Sequence, residues 1–99
     1  MKNYSLEFLI KAEREWTKLG ATIRAQFAKK LAERLRHPRN PKDQLRGYRD
    51  LYKIKLKKAG YRLIYHVDDD RIIVLVIKIG EREREDAYEG LDERLAAIE

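Results

Sequence analysis

Residues 72–79 read Ile-Ile-Val-Leu-Val-Ile-Lys-Ile, an apolar run interrupted by one lysine, and no other stretch of the 99-residue chain limits the fold as tightly. A strand with one face in water alternates apolar and polar residues, whereas a strand apolar at successive positions must be covered on both faces. The run therefore predicts a central strand from Arg71 to Ile79, reached through the Asp68-Asp69-Asp70 turn and broken by Gly80. Such a strand needs a neighbour on each side and helices to cover it.

The rest of the chain supplies both. Leu51 to Lys57 alternates at the strand period, with Tyr52, Ile54 and Leu56 on one side and Lys53, Lys55 and Lys57 on the other. Taking Lys57 to Gly60 as the turn, it pairs with Tyr61 to Val67, so that Leu56 faces Tyr61 and Lys55 faces Arg62. Tyr4 to Phe8 predicts a short first strand. Ala12, Trp16 and Leu19 then recur at helical spacing, and Gly20 is expected to end that helix as its C-cap. Thr22 can start a second helix with the apolar stripe Ile23, Phe27, Leu31 and Leu35, closed at His37-Pro38 because the residue before proline is pushed out of helical geometry. Residues 37–50 read as an ordered basic loop. A last helix from about Glu83 to Ile98 carries the stripe Ala87, Leu91, Leu95 and Ile98. The order β-α-α-β-β-β-α predicts a small α+β fold, one domain over residues 1–99. In it an N-terminal helical hairpin packs on a mainly antiparallel four-stranded sheet, and a C-terminal helix follows.

Composition narrows the class. With 43% hydrophobic and 40% charged residues and two prolines, there is a core to bury under a heavily charged surface, which argues against disorder. The absence of cysteine excludes disulfides and thiolate metal sites and suits a reducing cytoplasm. Nothing approaches the roughly 20 apolar residues that cross a bilayer, and Met-Lys-Asn-Tyr-Ser-Leu-Glu lacks the apolar run of a signal peptide. The expectation is a soluble cytoplasmic protein with no membrane partner.

Net charge is +6 and the isoelectric point about 9.6, which makes nucleic acid or another acidic partner plausible. Residues 1–50 carry thirteen Lys/Arg against six Asp/Glu, and residues 51–99 ten against eleven, so the excess lies in the first half. Between Lys29 and Arg49, eight basic residues meet only Glu33 and Asp43.

Common catalytic groupings are missing: there is no G-x-S-x-G, no Walker loop, no H-E-x-x-H and no cysteine nucleophile. His37 lies in a loop and His66 in a strand, and His66 reads as structural. What remains is a set of cations: Lys53 and Lys55 on the second strand, Arg62 on the third, and Arg82 and Arg84 where the fourth strand gives way to the last helix. Tyr88 lies a turn or so further on. Like charges facing each other, as Lys55 and Arg62 would, are destabilising, and a polyanionic ligand would relieve the cost. Converging cations suit the transition state of phosphodiester cleavage, where negative charge grows on non-bridging oxygens. RNA carries its own nucleophile in the 2′-hydroxyl, so no metal or cofactor is required, and nearby cations favour the ionised form of a tyrosine that must act as a base. On spacing alone the bland reading, solvated charges on strand edges and half-buried packing for Tyr88, outweighs the catalytic one.

Five motifs add to this: Glu15-Trp16-Thr-Lys-Leu19-Gly20, Leu45-Arg46-Gly47, Tyr52-Lys53-Ile54-Lys55-Leu56, Gly60-Tyr61-Arg62-Leu63-Ile64-Tyr65, and Gly80-Glu-Arg82-Glu-Arg84-Glu-Asp-Ala-Tyr88. In this order, across nearly the whole chain, they resemble the RelE branch of the RelE/ParE toxin family. The resemblance implies the toxin of a type II toxin-antitoxin system, a ribosome-dependent endoribonuclease that cuts messenger RNA in the decoding site of the 70S ribosome. It assigns Tyr88 as general base, Arg82 as general acid or phosphate ligand, and Lys53, Lys55 and Arg62 as holders of the scissile phosphate. Arg46 would contact a base near the cut. Lys29, Lys30, Arg34, Arg36, Arg39 and Arg84 would bind RNA or the ribosome, and an antitoxin protein would hold the toxin inactive. Glu81, Glu85 and Asp86 depart from the family's more basic pattern at this point. The alternative is a non-enzymatic protein, either a gyrase-poisoning toxin of the ParE branch or a basic RNA-binding module.

Overall fold

A computed structural model describes residues 3–81 and 90–98. The predicted central strand is present as β4 (Ile73–Glu81), with β1 (Ser5–Phe8) parallel on one side and β3 (Tyr61–Asp68) antiparallel on the other. Strand β2 (Leu51–Leu56) completes the sheet in the order β1-β4-β3-β2. Two of the three pairings are antiparallel, in keeping with the α+β expectation.

Helices α1 (Ile10–Lys18) and α2 (Ala21–Arg36) cover one face. Ala12, Leu19, Phe27 and Leu31 pack there against Tyr52, Ile54, Leu56, Leu63, Tyr65, Val74, Val76 and Ile79. Trp16 bridges the pair of helices, its ring 5.4 Å from Phe8 and 6.5 Å from Phe27. The opposite face carries a smaller cluster, Leu51, Ile64 and Ile77 under Leu91 of α3 (Leu91–Ala96), with Leu45 and Tyr48 from the basic loop beside them. Both faces of β4 are thus covered, which is what its apolar run demanded.

An irregularity makes that possible. Tyr65 pairs with Val76 but Ile64 pairs with Lys78, so Ile77 is an extra residue in β4, a bulge. Simple alternation from Val76 would put Lys78 under the helices. The bulge turns it to the face of Ile64 instead.

Helix boundaries differ from expectation at one point. Gly20 has φ −65° and ψ 155° and precedes α2 as its N-cap, while Leu19, also extended, ends α1. Gly20 is therefore not a left-handed C-cap, and α2 begins at Ala21 rather than Thr22. The helices are joined by two extended residues that need no glycine geometry. Arg71 also belongs to the turn and not to β4. The expected last helix is seen from Leu91 to Ala96, and its beginning lies outside the described residues. No described helix is long and apolar enough to cross a membrane.

Candidate nucleic-acid interface and active site

Lys55 faces Arg62 and Leu56 faces Tyr61, the register that the hairpin's turn length implied. Gly60 makes the turn possible: its φ is +74°, and its N–H reaches the Leu56 carbonyl at 2.8 Å. On the face opposite α1 and α2, residues line up in two rows across the sheet. Lys53, Ile64 and Lys78 form one, and Lys55, Arg62 and Gly80 the other. Paired Cβ atoms on one face stand about 5 Å apart, so the Lys55 and Arg62 side chains leave the sheet as close neighbours. Gly80 puts no side chain into its row.

The electrostatics follow from that geometry. The Lys55 ammonium is pushed below the usual lysine range, first by Lys53, then by partial burial, then by Arg62 and Lys57. Asp43 of the preceding loop opposes the shift. Asp43 thus supplies a carboxylate that the hairpin itself lacks, but repulsion wins. A face that holds three cations this close favours an oxyanion with charge on several oxygens.

Lys78 belongs to this face and was not singled out in the sequence. Its Nζ lies 3.9 Å from where a Cβ on Gly90 would sit, so it reaches toward the start of α3. The available signal was a lone cation inside an apolar strand, but its side of the sheet depends on the bulge. Arg82, Arg84 and Tyr88 lie outside the described residues. Among the described tyrosines, Tyr4 and Tyr48 donate at 2.6 Å to Asp69 and Asp92, bonds that push both phenols upward. Tyr65 is fully buried and also raised, by burial above all. Tyr52 and Tyr61 lie on the helix-covered face. His66 pairs with Leu51, four positions along the strand from Lys55 or about 13 Å, and lies 4.0 Å from Asp50. It takes no part in the cation face.

The residues expected to grip RNA divide into two groups. Lys29, Lys30 and Arg36 are exposed on α2, and Arg46 is exposed in the loop. Arg34 and Arg39 are instead held by carboxylates. Arg34 pairs with Asp43 at 14% side-chain exposure, and Arg39 bonds Asp50 at 3.0 Å and Asp69 at 2.8 Å beneath Tyr52. Nothing in the composition of the basic loop separates the two groups, because the acids that capture Arg39 lie up to 30 residues away.

Comparison with known proteins agrees with the motifs. Residues 6–86 match the family described as ParE toxin of type II toxin-antitoxin system, parDE. The chain is 48% identical over 92 residues to the mRNA interferase toxin RelE of Escherichia coli, covering 93% of this chain and 97% of the relative. The isolated E. coli RelE toxin superposes with a TM-score of 0.80 at 47% identity over 93% of this chain and 98% of that one. RelE within the intact E. coli RelBE toxin-antitoxin complex superposes with a TM-score of 0.77 at 50% identity over 79% and 95%. Sheet order, cation face and sequence identity over nearly the full length lead to one assignment: the chain belongs to the RelE branch of the RelE/ParE toxin family.

Proposed function

We propose that the chain is the toxin of a type II toxin-antitoxin system and an endoribonuclease that cuts messenger RNA in the decoding site of the translating ribosome, in the cytoplasm. The observation that carries the reading is the placement of Lys53, Lys55 and Arg62 on one sheet face, on a chain so similar to a protein named an mRNA interferase toxin. These three side chains hold the scissile phosphate and stabilise the charge that grows on its non-bridging oxygens. Tyr88 takes the proton from the 2′-hydroxyl, which attacks the adjacent phosphorus. The bond to the 5′ oxygen of the next nucleotide breaks, Arg82 supports or protonates that oxygen, and a 2′,3′-cyclic phosphate remains.

Exposed Lys29, Lys30, Arg36 and Arg46, with Arg84, supply contacts to ribosomal RNA that position the toxin without reading sequence. RelE of E. coli has been solved with the antitoxin RelB, and a cognate antitoxin is the corresponding partner here. The test compares wild type with Arg82→Ala and Tyr88→Phe on ribosomes programmed with messenger RNA. Each variant should bind and lose about 10²- to 10³-fold in cleavage rate. Unchanged cleavage, or growth inhibition that persists without cleavage, would point to the gyrase-poisoning or RNA-binding alternative.

A further inference from the structure

Strand β2, which carries Lys53 and Lys55, is an edge strand, and on its outer side it meets only the isolated antiparallel bridge of Gln44 to Tyr52 among the described residues. Carbonyls two residues apart on a strand point the same way. Leu51 points its carbonyl outward, where it accepts from Leu45 N–H at 2.9 Å, while Asp50 points inward to Val67 N–H. Lys53 therefore also points outward, and its partner there is Arg34 Nη1 at 3.3 Å. The same guanidinium donates to the Tyr65 hydroxyl at 2.9 Å and pairs with Asp43, while Tyr65 donates to the Pro38 carbonyl at 2.6 Å. One side chain thus joins α2, the edge strand, the buried Tyr65 and the loop that follows α2.

From this we infer that Arg34 and Asp43 are positioning residues for the cationic strand, and that neither contacts RNA. The inference rests on the proposed ribonuclease reading. Arg34 is mostly buried with a carboxylate beside it, which suits a brace and not a phosphate contact. Its bond to the Lys53 carbonyl fixes the backbone from which Lys53 and Lys55 project. Asp43 neutralises the brace, so that it adds no further repulsion to the face, and it lends Lys55 an attractive carboxylate.

The experiment uses the full chain carrying Arg34→Met or Asp43→Asn, with three readings: dissociation constant for programmed ribosomes, single-turnover cleavage rate at saturation, and amide hydrogen exchange along β2. Displacing reacting groups by about 1 Å costs about 10²-fold, so a loosened strand should slow cleavage about tenfold or more. Ribosome affinity should stay within about twofold, since no phosphate contact is lost, and β2 exchange should accelerate. Asp43→Asn should also move the alkaline limb of the rate profile to lower pH, because Lys55 loses the carboxylate that offsets Lys53, Arg62 and Lys57. A purely structural role would leave that limb in place. Affinity lost at an unchanged saturated rate would make Arg34 an RNA contact and overturn the inference, as would wild-type rate and exchange. Should wild type itself fail to cut, the ribonuclease reading falls, while the exchange measurement still decides whether Arg34 holds the strand. Where Arg34→Met fails to fold, Arg34→Lys and Asp43→Asn provide the same readings.

Discussion

The other open edge of the sheet gives the sharpest stability prediction. Strand β1 pairs only with Ile73 to Val76, so beyond Val76 the side of β4 away from β3 has no strand beside it among the described residues. There Glu15 Oε1 accepts from Ile79 N–H at 2.9 Å, and Arg94 Nη1 donates to the Ile77 carbonyl at 3.0 Å. The two side chains are joined by a two-pronged pair at 2.6 and 2.8 Å, with 15% exposure for Arg94 and 25% for Glu15. Arg94→Ala would leave a partly buried carboxylate and a strand carbonyl short of their partner. An exposed pair contributes about 0.2–1 kcal/mol, and stripping one partner from a fully buried pair costs about 3–5 kcal/mol. At these exposures the loss should fall between, at about 2 kcal/mol, or about 10 °C in Tm for a domain this size. Urea unfolding of Arg94→Ala, Glu15→Ala and the double variant measures it, with a coupling energy of about 1–2 kcal/mol expected. Arg71 and Asp68 serve as the control: they are 3.9 Å apart with Arg71 at 78% exposure, and Arg71→Ala should change stability by less than about 0.5 kcal/mol. A coupling energy indistinguishable from that control would refute the view that the Arg94–Glu15 pair closes the edge of β4.

Three further outcomes follow from the same geometry. Because Lys55 has a lowered folded-state pKa, its charge opposes folding below that pKa, and the penalty disappears above the unfolded value of about 10.5. Lys55→Gln should therefore stabilise the protein at neutral pH by roughly 0.2–1 kcal/mol while abolishing cleavage, with the gain fading above that value in thermal melts. Asp69 is held below its usual 3.8, first by the Tyr4 hydroxyl and then by Arg39, so it contributes stability above that pH that is lost as pH falls through and below it. Asp69→Asn should be less stable than wild type at pH 6 and no less stable near pH 2, as acid titration of unfolding will show. A Cβ added at Gly60 would have no heavy atom within 4 Å, so Gly60→Ala meets only the left-handed backbone penalty of about 1 kcal/mol. A much larger loss in urea midpoint would mean that the turn is crowded.

Local pattern made much of this molecule legible. The apolar run marked β4 as central, and the alternation in Leu51 to Lys57 with a four-residue turn fixed which side chains face each other, because strand period and turn length are properties of neighbouring residues. Alternation and turn length by themselves bring Lys53, Lys55 and Arg62 onto one face of the hairpin. Gly20 is less legible, because a glycine between two helices can end one or begin the next, and packing of Leu19 and Phe27 into one core decides which.

What the chain alone determined, then, was the alternation, the hairpin register and the surplus of positive charge, all set by residues a few positions apart. Which cations are held by carboxylates was decided only by tertiary structure. Asp50 and the more distant Asp69 close on Arg39 from turns, Asp43 closes on Arg34, and a single bulged residue turns Lys78 onto the face that carries Lys53 and Lys55. Charge pairing acts through space at 2.5 to 3.0 Å in these contacts, and no sequence separation reveals it.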